Sequence, residues 1–237
     1  RKKLPQNVKQ SVEMNLTLIY FNLPVWRAEV PKISLFMSDI PFDNRIISFE
    51  EFHRVRETGR LDDGTSIPFH QLPCLVANGT SIVQTGAIAR FCGKLSGLYP
   101  VDDLFTAAAI DQFIDLATDI TELLFSMGRD VSDDIKKLKR EQLIGGELGK
   151  KLAILESNIC SDGTWTTSNQ LSIADIAIWR LMGWLSSGSL EGIPTDILLG
   201  FPKINRVCSH VEAEEKIKEW INLTYPKNYE RGNFFKS

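Results

Sequence analysis

The chain has 237 residues, 43% of them hydrophobic and 24% charged, which suits one large or two small globular domains. Its net charge of −3 argues against a broad nucleic-acid or anionic-membrane footprint, so no nucleic-acid partner is expected. No apolar run approaches the ~20 residues of a membrane span, so none is expected.

Residues 1–13 are polar, contain Arg1, Lys2, Lys3 and Lys9, and carry no apolar signal core. They read as the stub of a cleaved targeting peptide or as an expression remnant. Leu16–Phe21 (LTLIYF) predicts a strand that Asn22-Leu23-Pro24 breaks. Arg27–Met37 has helical spacing at Ala28, Ile33, Leu35 and Phe36, with Pro31 near the first turn, where proline is tolerated. Phe42–Ile47 predicts a weaker strand, Phe49–Thr58 a short charged helix, and Gly59–Ser66 (GRLDDGTS) a turn-rich surface loop.

The next stretch, QLPCLVANGTSIVQTGAIARF, runs from Gln71 to Phe91. Pro73 removes a ladder donor and belongs at a strand start or edge. Asn78-Gly79 between two apolar runs predicts a hairpin of Cys74–Ala77 and Ser81–Gln84. A helix over Thr85–Leu95 follows, with Thr85 read as its cap and free N–H groups at its start that suit an anion. The order βαβ(α)ββα describes a thioredoxin-like half.

After Gly97-Leu98-Tyr99-Pro100 the pattern is helical throughout. Asp103–Gly128 is long and apolar on one face, and Asp133–Asn158 is a second amphipathic helix weakened at Gly145-Gly146. Ser172-Ile173-Ala174-Asp175 is a capping box, with Leu171 and Ile176 placed as a hydrophobic staple. The apolar helix Ile173–Leu185 contains Asp175 and Arg180 and reads as buried core. Phe201–Val211 and Glu214–Leu223 complete a bundle. The four cysteines, Cys74, Cys92, Cys160 and Cys208, show no CxxC or zinc spacing and are expected as free, mostly buried thiols. His53, His70 and His210 show no ligand spacing, so no metal is expected. The sequons at Asn15, Asn78 and Asn222 read as chance matches.

An α/β half with a proline before an edge strand, joined to an all-α half, resembles the cytosolic glutathione transferases. The resemblance runs from about Leu16 to Leu223 and is carried by LIYFNLPVWRAE, QLPCLVANG, IVQTGAIARF, IDQFIDLATD and LSIADIAIW. It is similar above all to the sigma class, which holds glutathione-dependent prostaglandin D synthases. The implied fold is a thioredoxin-like domain over residues 14–97 and an all-helical domain over residues 103–225.

What the resemblance implies for chemistry is specific. Tyr20 matches the tyrosine whose hydroxyl donates to the sulfur of glutathione. A thiol of pKa ~8.5 is mostly protonated at neutral pH, and a neutral phenol stabilises its anion. Leu72-Pro73 matches a cis-proline turn whose free backbone takes the cysteinyl part of glutathione as an added strand, beside Gln71. Gln84-Thr85 matches the pair that holds the γ-glutamyl carboxylate. Asp115 matches an aspartate that reaches the γ-glutamyl amine from the partner subunit, which implies a homodimer. Asp111, Asp115 and Asp119 share one helix face at four-residue spacing and repel one another, so the face is expected to meet cations, donors or a cleft. Phe52 and Arg56 have the spacing of a tryptophan–lysine pair that holds the glycyl carboxylate; phenylalanine cannot donate, but arginine binds a carboxylate bidentately. Arg27 matches a structural arginine near the tyrosine, and Ser172 with Asp175 a folding box.

Two departures border the implied site. Thr58–Ile67 is longer than the family's usual loop, and Pro24-Val25-Trp26 stands where the family has a small residue and a shorter chain. Trp26 is expected either to fill part of the second-substrate pocket or to pack between the domains. That second substrate, a small hydrophobic electrophile, is expected near Met127, Trp179 and the C-terminal residues. The resemblance implies glutathione as co-substrate, a detoxification-type transferase, and a cytoplasmic location or an organelle after loss of a targeting peptide. The alternative is a catalytically weak binding or structural subunit on the same fold.

Overall fold

A computed structural model of the chain describes residues 14–127, 131–167 and 170–235. The basic stretch 1–13 and the expected helix end at Gly128 lie outside the described residues.

Strand β1 (Leu16–Tyr20) is one of the two inner strands of a four-stranded sheet ordered β2-β1-β3-β4, with β2 at Asp43–Ile46, β3 at Cys74–Ala77 and β4 at Thr80–Val83. β1 runs parallel to β2 and antiparallel to β3, with Tyr20 opposite Ile46 and Ile19 opposite Cys74. The Asn78-Gly79 turn closes the β3–β4 hairpin, and both residues take positive φ. Leu18, Ile19, Cys74 and Leu75 are fully buried, as an inner pair of strands requires.

Helix α1 (Trp26–Met37) makes the crossover from β1 to β2. It serves two cores at once. Ala28 and Leu35 pack with the sheet, while Trp26, Val30 and Ile33 pack with the later helices. The Trp26 indole donates to Thr121 Oγ1 at 2.8 Å, which ties α1 to the long helix α4 (Leu104–Ser126). Trp26 therefore packs between the two halves and does not occupy a substrate pocket. A fully buried large side chain of this kind stabilises by about 1.5–3 kcal/mol.

Helix α2 (Phe49–Thr58) opens on a capping box in which Ser48 and Glu51 exchange hydrogen bonds, and it ends at Gly59 in the left-handed region. The Gly59–Ser66 segment is a small hairpin, with Arg60 bridged to Ser66, and Leu61 and Ile67 buried at its base. A short 3-10 turn at Pro68–His70 leads to the Leu72–Pro73 peptide, which is cis. Helix α3 (Thr85–Ser96) follows β4. Its cap position is Gln84, with Thr85 at the first helical position and no side-chain cap, so the expected threonine cap is corrected by one residue.

The rest is helical. Asp103 caps α4 by accepting from the N–H groups of Phe105 and Thr106. The expected single helix over Asp133–Asn158 is two, α5 (Asp133–Ile144) and α6 (Glu147–Asn158), divided at Gly145-Gly146. Glycine's cost in a helix interior, about 1 kcal/mol each, makes that pair the natural break. Helix α7 (Ile173–Ser186) is the hub, buried at every position except Trp184 and packed on α1, α4 and α8. Asp175 accepts from Ser172 N and Oγ and from Thr166 N at 2.7–2.8 Å. Helices α8 (Pro202–Ala213) and α9 (Glu215–Thr224) complete the bundle. Beyond α9 the chain folds back: Phe235 N donates to Asn205 Oδ1, Asn233 N to Ser186 Oγ, and Arg180 to the Arg231 carbonyl. No helix among the described residues is long and apolar enough to cross a membrane.

Candidate active site

A cavity of about 760 Å³ lies between the sheet's helices and α4. The chain reaches it from five places. α1 supplies Arg27, α2 supplies Phe52 and Arg56, and the turn before β3 supplies Phe69, His70, Gln71 and Leu72. The start of α3 supplies Gln84, Thr85 and Gly86, and α4 supplies Thr118, Glu122 and Phe125. Seven of the residues singled out in the sequence thus meet: Arg27, Phe52, Arg56, Gln71, Leu72, Gln84 and Thr85. Pro73, Trp26, Tyr20 and Asp115 do not line this cavity.

Local geometry explains the meeting. Gln84 takes φ 77°, which turns the chain from β4 into α3 and brings the start of α3, Thr85 and Gly86, to the cavity wall. Gln71 Oε1 accepts from Gln84 Nε2 at 3.2 Å, so the two glutamines brace each other across the mouth. Among the described residues no hydrogen bond engages the Leu72 main chain, which leaves an edge open beside β3. Phe69 and His70 both have positive φ, 54° each, a conformation rare outside glycine. His70 is held there by its Nδ1 at 2.9 Å from the Arg56 carbonyl, and Phe69 stands exposed at the cavity rim. Phe52 meets Phe21 edge-on, and Phe21 stacks on Phe49 at 4.5 Å between centroids.

Tyr20 ends β1 with its ring tilted against Phe21 at 5.2 Å, and it is only 8% exposed. Burial pushes its phenol above the ordinary value, and the Arg27 charge pulls it back. Arg27 itself pairs with Glu122 at 2.7 Å and sits over the Phe125 ring. One guanidinium therefore acts on Tyr20 and on the cavity together. Two arginines and a helix N-terminus give the cavity three anion-attracting features against one carboxylate, Glu122.

Asp115 is on α4 but points elsewhere. Arg90 of α3 holds both Asp111 and Asp115, the latter at 2.8 Å, and Tyr99 donates to Asp111 at 3.1 Å. Lys151 pairs with Asp119 at 3.6 Å. The acidic stripe on α4 is thus answered by cations of the same chain, as its repulsion demanded.

The expected second-substrate lining is corrected. Trp179 is fully buried in the hub helix, and Met127 packs against the helical core. The α4 side of the cavity is Thr118, Glu122 and Phe125, one helix stripe at near-heptad spacing. Its sequence signal was an apolar residue, Phe125, on the polar face of an amphipathic helix. All four cysteines are free, and burial pushes the Cys74 thiol to about 11 and the Cys92 thiol to about 12, so neither supplies a thiolate.

A thioredoxin-like sheet joined to a helical bundle, with a polar cavity between them opened by a cis-proline turn, is the fold of the glutathione transferases. Residues 115–223 match the family model described as glutathione S-transferase, C-terminal domain. Glutathione S-transferase 1 of Ascaris suum is 27% identical over 158 residues, 65% of this chain and 74% of that protein. Hematopoietic prostaglandin D synthase of Gallus gallus is 25% identical over 210 residues, 87% of this chain and 95% of that protein. Among solved structures, a prostaglandin D synthase of Nilaparvata lugens superposes with a TM-score of 0.75 at 24% identity, covering 90% of this chain and 98% of that one. Rat hematopoietic prostaglandin D synthase complexed with a quinoline gives 0.74 at 22%, with the same coverage. The chain thus has the glutathione transferase fold, carries a match to the family's C-terminal domain, and is similar to glutathione transferases and prostaglandin D synthases over most of its length.

Proposed function

We propose that the chain is a glutathione-dependent enzyme in which Tyr20 activates the glutathione thiol for attack on, or isomerisation or reduction of, a small electrophile. The observation that carries this reading is the convergence of Phe52, Arg56, Gln71, Leu72, Gln84 and Thr85 on one cavity beside a buried tyrosine. Glutathione has two carboxylates, and the cavity has two places for them. Arg56 takes the glycyl carboxylate with Phe52 packed beneath it, and the α3 N-terminus with Gln84 and Thr85 takes the γ-glutamyl carboxylate. The open Leu72 backbone pairs with the cysteinyl residue, with Gln71 and Pro73 shaping the turn. That leaves the sulfur toward Tyr20 and Arg27.

The electrophile side is amphipathic. Phe125 and Phe69 offer apolar faces, while Arg27, Thr118 and Glu122 offer charge and hydrogen bonds. Residues 14–97 would form the glutathione-binding domain and residues 103–225 the helical one. The protein would act as a cytoplasmic homodimer in which Asp115, its side chain 70% exposed, approaches the partner's glutathione.

Calorimetry and turnover with Tyr20→Phe test the reading. The variant is expected to keep glutathione affinity within about twofold and to lose ~100-fold or more in kcat, the scale of a lost positioned donor. Burial holds the phenol protonated through the ordinary tyrosine range, so wild-type activity should rise as the thiol ionises and stay level past pH ~9. A wild type that fails to bind glutathione, or a variant with unchanged kcat, rejects the assignment.

A further inference from the structure

The most unusual group outside the cavity is Arg180. It is wholly buried, and among the described residues no carboxylate is a direct partner. Burying a guanidinium costs several kcal/mol unless its donors are met. Here the two Nη groups are met by the Pro24 carbonyl at 3.0 Å, the Tyr229 hydroxyl at 3.0 Å and the Arg231 carbonyl at 3.1 Å, while Nε has no hydrogen-bond partner among the described residues. The rings of Trp179, Tyr225 and Tyr229 lie 4.8–5.7 Å from its carbon. Tyr229 also donates to the Pro24 carbonyl at 3.2 Å. Glu29, one helical turn along α1, accepts from the Tyr225 hydroxyl at 2.7 Å and the Trp220 indole at 2.8 Å.

These contacts join the segment beyond α9 to the loop between β1 and α1. The family match ends at residue 223, and the segment Tyr225–Phe235 comes after it. Pro24 sits in the Phe21–Val25 loop between β1 and α1. The tail thus grips the loop that leaves Tyr20 and enters α1. Val25 begins α1 without any side-chain cap, so the Pro24 carbonyl is the fixed point at that helix start. Arg27 is three residues further on.

We propose that the C-terminal segment is a strap which, through Arg180 and Tyr229, fixes the β1–α1 loop and so positions Arg27 against Tyr20 and the cavity. Arg180 and Tyr229 are positioning residues; neither lines the cavity. The catalytic part of this inference rests on the proposed glutathione chemistry. The strap's hold on the loop does not.

Two variants separate the parts. Tyr229→Phe keeps the ring and removes the hydroxyl that bonds both Arg180 and the Pro24 carbonyl, leaving only the direct bond from Arg180 to that carbonyl. Gly183→Ala changes no residue of the cavity, but its new methyl would overlap the Arg231 carbonyl and crowd Arg180 Nη1, and so lift the strap from α7. Alanine favours a helix over glycine, so α7 itself gains. In both variants the amide hydrogens of residues 21–26 are expected to exchange ~10-fold faster than in the wild type, with those of α7 unchanged. Glutathione affinity is expected to stay within about twofold, because its proposed contacts lie away from the strap. With a small aromatic electrophile kcat should fall ~10-fold, within what a displacement of about 1 Å costs. The midpoint of the pH–rate profile should move up, because a displaced Arg27 no longer favours the anion.

Unchanged exchange of the loop in both variants overturns the strap. Faster exchange with wild-type kcat and an unmoved pH midpoint overturns the positioning role. If the wild type does not bind glutathione, the enzymatic reading fails, and the exchange measurement still decides whether the strap holds the loop.

Discussion

Tyrosines carry an unusual share of the burden at the level of single side chains. Tyr20, Tyr225 and Tyr229 all have phenols raised by burial, and Tyr225 is also raised by the Glu29 charge it bonds to. In the unfolded chain such phenols release their protons near pH ~10. In the fold they keep them to higher pH. Their contribution is therefore fully present below about pH 10 and is lost as pH rises through the folded values. Thermal midpoints should be level up to about pH 9 and fall above it. Tyr225→Phe removes one titrating group, so its decline should be shallower than the wild type's. An equal slope in the variant would show that Tyr225 does not couple to folding.

At the scale of elements, α7 organises the helical half through its cap. Asp175 is fully buried, and burial raises its carboxyl while bonds from Thr166 and Ser172 lower it. Three donors converge on two oxygens. Asp175→Asn turns one acceptor into a donor facing donors, which should cost about 2–4 kcal/mol and about 5–15 °C in midpoint. Circular dichroism reads this directly, and a shift under 2 °C would refute it. Much at this scale was legible in the sequence. α2 and β3 have the predicted limits, and the Asn78-Gly79 turn and the Ser172–Asp175 box stand as read, because each rests on local chemistry. The split between α5 and α6 was visible only as a weakness at two glycines, since whether a glycine pair bends or breaks a helix depends on the packing around it.

For the whole molecule the sequence was less informative, and the reason is distance along the chain. Seven site residues could be named because each sits in a short motif. Thr118, Glu122 and Phe125 could not, because only packing of α4 against the α/β half brings them to the cavity. Trp179 looked like a lining residue, but the hub helix is buried on all sides. Assembly follows the same logic. Asp115 is held by Arg90 of its own chain yet remains open to a second subunit. We expect a two-fold dimer by light scattering, and Asp115→Asn should weaken glutathione binding by roughly threefold to tenfold without lowering the midpoint, as loss of one exposed charged contact does. A monomer at working concentration would rule out the shared site.

The bond between Tyr229 and Pro24 spans 205 residues. During synthesis Tyr20 and its loop leave the ribosome well before their anchor, which is made about 205 residues later. At 5–20 residues per second the interval is about 10–40 s. Throughout that time the growing chain can build its sheet and most of its bundle, but the loop beside the tyrosine has nothing to fasten to. The order of manufacture then leaves the loop beside Tyr20 unfastened until Tyr229 has emerged, and a chain terminated early, just past α9, would emerge folded in outline with its loop untied.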